Sequence, residues 1–318
     1  MRSPQRCPRQ VSEDVYLRSV TLMGTVVTIQ VVGHGADPRQ KIHREETVES
    51  AFKWFHRVEQ CCTRFEPQSE LMQLVTQVGV PVPASAILYE AVQFALAVAQ
   101  DSGGAFDPTV GHAMESRGFN REYRSGQTIR TAIASGEAVS YRDVRLNPDR
   151  KTITLLRPLI LDLGAIAKGL AIDLAARELG PFENFAINAG GDLYLGGRNQ
   201  NGEPWSIGIR HPRRDHELID SVRVSDRAVC TSGDYERLSP ANDRNHHILD
   251  PRTGTTADGV ASVTVVAPTA MLADALATAA FVLGPADGIR LLDRLGVDGL
   301  IISPTLERYA TQGMCGDR

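Results

Sequence analysis

The segment MLADALATAAFVLG, Met271 to Gly284, is where the sequence most clearly joins residue type to spacing. Between Ala270 and Leu283 only Asp274 and Thr278 are polar. Four residues apart on a helix, they stack on one face. A helix apolar on all sides is normally buried, and a buried carboxylate has to be met by a cation, a donor or a proton. Carboxylate and hydroxyl oxygens are hard ligands of the kind Mg²⁺ takes alongside waters and substrate phosphates. Softer metals want Cys or His, and neither lies at ligand spacing here. Two readings of Asp274 stand at this point: a ligand to a divalent cation, or a structural acid capped by donors or paired with an arginine.

Four Gly-rich segments are further places for chemistry: GGAFDPTVG (103–111), LDLGAIAKGLAID (161–173), INAGGDLYLGG (187–197) and HHILDPRTG (246–254). Glycine lets backbone approach a ligand closely. In the second segment Asp162 ends a strand, a helix starts just after it, and Lys168 lies in its first turns. A helix N-terminus suits phosphate, but helix starts with Gly and Lys are common, and no Walker A pattern is present. Phe106 beside Asp107 could grip a heterocycle or serve as core and turn cap. INAGGDLYLGG reads first as tight turns. His246 and His247 offer a base near neutral pH, although a strand-end His is more often structural.

The elements that must position these groups follow from periodicity. Residues 15–33 predict a hairpin turning near Gly24. Helical patterns cover 40–62, 84–101, a short stretch at 127–135, Ile166 to Leu179, the opening segment after Pro268-Thr269, and 285–295. Strands are expected at 139–146, 152–156, 158–162, through 184–232, at 245–250, 259–267 and 297–303. Strands outnumber βαβ units, so the expected class is α+β. The expected organisation is a polar tail over 1–14, one domain of two intertwined lobes over 15–303, and a C-terminal tail over 304–318.

The 318 residues suffice for a large core, and 42% hydrophobic with 23% charged content is ordinary for a soluble globular chain. A net charge of −4 argues against a general nucleic-acid binder, which is usually basic. Five cysteines with no CxxC pair argue against a disulfide framework and for small buried hydrophobes. No membrane span and no signal-peptide core is expected.

Taken together, the chain resembles the ApbE family of FAD:protein FMN transferases. Nine blocks carry the resemblance in order over residues 20–303: LMGTVVTI, RFEPQSELMQL, GGAFDPTVG, LDLGAIAKGLAID, INAGGDLYLGG, WSIGIRHP, VCTSGDYER, HHILDPRTG and SVTVVAPTAMLADALATAAFVLG. The resemblance implies mixed, largely antiparallel sheets with helices packed around a central flavin-nucleotide cleft. It implies Mg²⁺-dependent transfer of the FMN half of FAD to a Ser or Thr hydroxyl of an acceptor flavoprotein, in a motif near Asp-Gly-x-Ser/Thr-Gly-Ala-Thr, with release of AMP.

It also implies roles by position. Met23, Phe65 (where an aromatic, often Tyr, is usual), Ala105, Phe106, Asp107, Asp162, Lys168 and Ile248 would bind FAD. The Ala165 carbonyl, Asp274 and Thr278 would hold Mg²⁺. His247 would act in catalysis with Asp274, with His246 as the neighbour that confuses the assignment. Ala277 stands where some members carry a second carboxylate. The family is often exported or lipid-anchored, whereas this chain, without a visible signal peptide, reads as soluble and cytoplasmic. The alternatives are an Mg²⁺-dependent FAD pyrophosphatase, with water in place of the acceptor hydroxyl, and a non-catalytic flavin-binding protein.

Overall fold

The fold is described from a computed structural model, covering residues 14–131, 133, 138–236, 238–239 and 242–315. Its frame is an eight-stranded sheet. In spatial order the strands are Val15–Leu22, Thr25–Val32, Phe185–Ala189, Asp192–Gly196, Arg227–Gly233, Ser262–Ala267, Asp298–Ile302 and Arg308–Ala310. Every pairing within it is antiparallel. With the helices below, this is the expected α+β class.

Among the described residues, six α-helices accompany the sheet: α1 (Pro38–Cys62), α2 (Glu70–Val75), α3 (Ala86–Asp101), α4 (Gly111–Ser116), α5 (Gly164–Glu178) and α6 (Ala270–Leu295). Sheet strands alternate their faces, and the packing follows. Val27, Ile29, Val31, Ile187, Ala228, Cys230, Val263 and Val265 join the core formed with the helices. On the other face Val32, Leu195 and Val229 pack with Trp205 and Val224. Those last two belong to a separate hairpin of strands Trp205–Arg210 and Leu218–Val224.

Local chemistry explains the element ends that matter to function. The first hairpin turns through Met23 and Gly24, at φ 51° and 75°, with Leu22 opposite Thr25. A two-residue loop with both φ values positive suits the right-handed strand twist. Thr269 caps α6 by accepting the Leu272 N–H. Helix α6 is interrupted at Gly284 (φ 80°, ψ 177°), and Pro285 opens its second helical segment. Helices α5 and α6 touch at Gly169, where a Cβ would stand 2.5 Å from the Met271 Cα.

Several expected elements are corrected. The apolar run 158–162 is not a strand. Leu159, Ile160 and Leu161 are buried, but their backbone is spent locally: Gly111 N–H donates to Ile160 and Asp162 N–H to Pro108. The stretch 139–146 becomes a 3₁₀ turn, Tyr141–Asp143, closed by a Ser140/Asp143 capping box, before the strand Val144–Asn147. Of the short helix expected at 127–135, residues 127–131 are not helical and Thr128 bridges to Arg121; residues 132 and 134–137 lie outside the described residues. The presumed C-terminal tail supplies the edge strand Arg308–Ala310, paired with Asp298–Ile302. Of the expected N-terminal tail, residues 1–13 lie outside the described residues.

Helix α6 is long and apolar enough to cross a membrane by length and composition, contrary to the expectation that no such stretch exists. Here it is a core helix: Ala273, Ala275, Leu276, Ala277, Ala279 and Ala280 have no exposed surface. Of the cysteines, Cys62 and Cys230 are buried as expected, while Cys61 is half-buried; all three are free thiols.

Candidate active site

Two large cavities meet at one wall. One, of about 480 Å³, is lined by the hairpin turn at Met23, by Ala105 to Asp107, and by Ala165, His247, Ile248, Asp274 and Thr278. The other, of about 730 Å³, runs along α1 and the loop around Tyr123. Met23, Arg64, Phe65, Asp162, Gly164 and Lys168 line both. Each volume falls within the range of roughly 300–1,000 Å³ usual for small-molecule sites. Every residue expected at the site from the sequence therefore lines this double cleft.

Helix α6 delivers Asp274 and Thr278 to the cleft one turn apart, as their spacing requires. Asp274 is buried. Thr278 meets Ser232 of the Arg227–Gly233 strand, hydroxyl to hydroxyl at 3.4 Å. Ala165, in the first turn of α5, lines the same cavity. Among the described residues no three His, Cys, Asp or Glu side chains converge as a metal cluster. Asp274 and Thr278 nonetheless supply a carboxylate and a hydroxyl, oxygen donors of the kind Mg²⁺ takes, and Ala165 borders the same cavity. That ion commonly uses one or two carboxylates and completes its shell with water and substrate phosphate.

The start of α5 carries the charged part of the shared wall. Asp162 accepts the Gly164 N–H at 2.8 Å and the Arg64 Nε–H at 2.6 Å. Arg64 is 4% exposed, donates also to the Phe119 carbonyl, and holds its guanidinium 4.3 Å from the Phe65 ring centroid. Lys168 forms an ion pair with Asp192, which in turn accepts the Thr231 N–H at 3.2 Å. Arg64 and Asp192 were missed as site residues. Both stood in quoted blocks, RFEPQSE and INAGGDLYLGG, but their partners are distant in sequence.

Asp107 lines the cleft, yet its carboxylate is committed to structure. Oδ1 accepts from the Thr109 N–H and hydroxyl, and Oδ2 from the Tyr141 N–H at 2.9 Å. Burial raises its pKa despite these three donors. Of the two open readings of AFDP, the turn cap is the one its hydrogen bonds display; Phe106 is core and cleft wall at once.

The two histidines separate by environment. His246 is buried and packs edge-on against Phe281, 5.4 Å between centroids. Its Nδ1 accepts the Ile248 N–H at 3.2 Å, so Nε2 carries the proton donated to the Ala257 carbonyl at 2.8 Å. Burial holds its pKa below the ordinary value. His247 faces the cleft. Its Nδ1–H donates to the Glu236 carbonyl at 3.3 Å, a tautomer in which Nε2 is the ring atom able to take up a proton.

A model described as the ApbE family matches residues 23–301. The chain belongs to the ApbE family. A protein of Treponema pallidum named FAD:protein FMN transferase is 32% identical, over 94% of this chain and 87% of that one. A Haemophilus influenzae protein of the same name is 29% identical, over 91% and 87%. Among solved structures, the ApbE protein of Thermotoga maritima superposes with a TM-score of 0.82 at 30% identity, covering 95% of this chain and 98% of that one. The flavin transferase ApbE of Vibrio cholerae gives 0.81 at 26% identity, covering 95% and 99%.

Proposed function

We propose that this chain is an FAD:protein FMN transferase, moving the FMN half of FAD to a Ser or Thr hydroxyl of an acceptor protein. The observation that carries the reading is the double cleft. Two cavities, each large enough for half a dinucleotide, share a wall holding Lys168, Arg64 and Asp162, with Asp274, Thr278 and His247 along one of them. The names of the relatives supply the reaction class.

In the reaction, the acceptor oxygen bonds to the phosphorus of the FMN half, the bond to the AMP phosphate breaks, and AMP leaves. Such transfers depend on positioning and on neutralising charge rather than on covalent help from the protein. Asp274, Thr278 and the Ala165 carbonyl would hold Mg²⁺, which when bound offsets charge on the pyrophosphate. Lys168, kept in place by Asp192, lays its ammonium beside the same phosphates. Met23 and Phe65 present apolar surface to the nucleotide, with Ala105, Phe106 and Ile248 closing the cavity around it. Asp162 orients the first turn of α5 and is itself fixed by Arg64. His247 accepts the proton of the acceptor hydroxyl at Nε2 while Nδ1–H stays on the Glu236 carbonyl.

The test combines FAD, Mg²⁺ and a domain carrying the acceptor motif, following AMP by chromatography and acceptor mass by mass spectrometry. AMP with an acceptor heavier by FMN less one water supports transfer. AMP with free FMN and an unmodified acceptor would make the protein an FAD pyrophosphatase. Bound FAD without AMP would make it a binding protein.

A further inference from the structure

A third, smaller cavity of about 220 Å³ opens beside the His247 end of the cleft. It shares Val110, Leu249 and Pro251 with the catalytic cavity. The segment from His247 to Pro251 thus runs from the proposed base straight into this pocket's wall. Its other walls include Ala113 of α4, Leu159 and Ile160.

The pocket is below the size usual for a small-molecule site, so it suits one side chain rather than a nucleotide half. Its lining is largely apolar. The carboxylate on it, Asp250, is bound in fork geometry by Arg252, at 2.9 and 2.8 Å. That pair holds the Asp250 carboxyl below its ordinary pKa, so the acid is ionised and already matched. Of the other polar residues on the lining, Thr109 already donates its hydroxyl to Asp107 and His112 stands at an exposed position on α4; most of what remains for an incoming group is apolar surface.

We propose that this pocket is the acceptor subsite, taking an apolar side chain of the acceptor protein that flanks the Ser or Thr to be modified. The inference rests on the transferase reading above, because only an acceptor polypeptide needs a seat next to His247 once FAD fills the double cleft. Continuity of the two cavities through Leu249 and Pro251 argues for this occupant. A flanking residue seated there holds its neighbour's hydroxyl at the mouth of the catalytic cavity. Seating the acceptor by one side chain also lowers the entropic cost of bringing the hydroxyl into line.

The experiment fills the pocket in steps with Ala113→Leu and Ala113→Phe. Acceptor KM is measured with the motif-bearing domain, FAD affinity by quenching of flavin fluorescence, and folding by thermal melting. The expected result is a KM for the domain that rises at least about tenfold and increases with side-chain size, as expected when a buried apolar contact is lost. FAD affinity should stay within about twofold of wild type. As a second route, Ala113→Cys is folded first and then blocked with a benzyl methanethiosulfonate, against wild type treated identically; this fills the pocket without burdening folding. Unchanged KM in the filled proteins, or an equal loss of FAD affinity, overturns the inference alone. A wild type that releases AMP without modifying the domain overturns the transferase reading, and the subsite with it.

Discussion

Helices α5 and α6 carry two buried carboxylates with opposite fates. Asp173 on α5 turns toward the start of α6, where Oδ1 accepts the Ala270 N–H at 2.7 Å and Oδ2 the Met271 N–H at 3.0 Å. It acts as a helix cap supplied from a neighbouring helix, satisfying donors that a first turn leaves open. Asp274, one turn further along α6, lines the catalytic cavity with Thr278 instead. The same helix pair thus uses one acid to lock its packing and sets the other on the wall of the cleft. Burial of an acid does not identify function; the direction it faces does. His246 and His247 repeat the contrast within two adjacent residues.

The largest expected effect of breaking this division is on turnover. Asp274→Ala should lower FMN transfer by on the order of 10³-fold or more, the scale of losing electrostatic stabilisation at a phosphoryl centre, while the melting temperature holds. A fold that collapses with the substitution would make Asp274 structural like Asp173. His247→Ala should slow transfer by roughly 10²-fold, within the range for a general base, with FAD affinity little changed. His246→Ala should instead lower stability, since it removes the packing on Phe281 and leaves the Ala257 carbonyl and Ile248 N–H without their partner. Equal kinetic losses from the two would erase the distinction.

On the structural side, Gly169→Ala pushes a methyl into the α6 backbone. It should cost about 1–3 kcal/mol or more by overpacking, measured by urea unfolding. The smallest effect concerns pH. Burial pushes the Asp173 carboxyl up from 3.8 to about 6, over the opposing pull of its two amide donors. The folded state therefore holds this proton more tightly than the unfolded chain. The contribution is fully present below pH 4, and stability falls as pH rises through about 6. Asp173→Asn should remove that slope, on the order of 3 kcal/mol between the two limits. A wild type and variant with parallel stability curves over pH 4–7 would show that the acid titrates normally.

Much of the site was legible because its signals are local. Asp274 and Thr278 stand out against an apolar helix, and Asp162 and Lys168 bracket a helix start. Arg64 and Asp192 were not legible, because their roles exist only in pairings: Arg64 reaches Asp162 across 98 residues. Asp173 sat unremarked in a quoted block for the same reason, its partners being backbone amides 97 and 98 residues on. The fold shows the same limit. The hairpin at Met23-Gly24 follows from its turn residues, whereas Leu159 to Leu161 look like a strand because burial, not pairing, sets their composition. The edge strand Arg308–Ala310 is three residues long and half exposed, too short for alternation to announce it.

Asp274, on the proposed reading, faces a metal-bearing nucleotide site, while Asp173 serves the fold. Titrating Mg²⁺ into the FAD-loaded protein by calorimetry, for wild type, Asp274→Ala and Asp173→Asn, tests it without reference to turnover. Saturable Mg²⁺ binding is expected in wild type and Asp173→Asn, with its loss in Asp274→Ala. Undiminished binding in Asp274→Ala would contradict it.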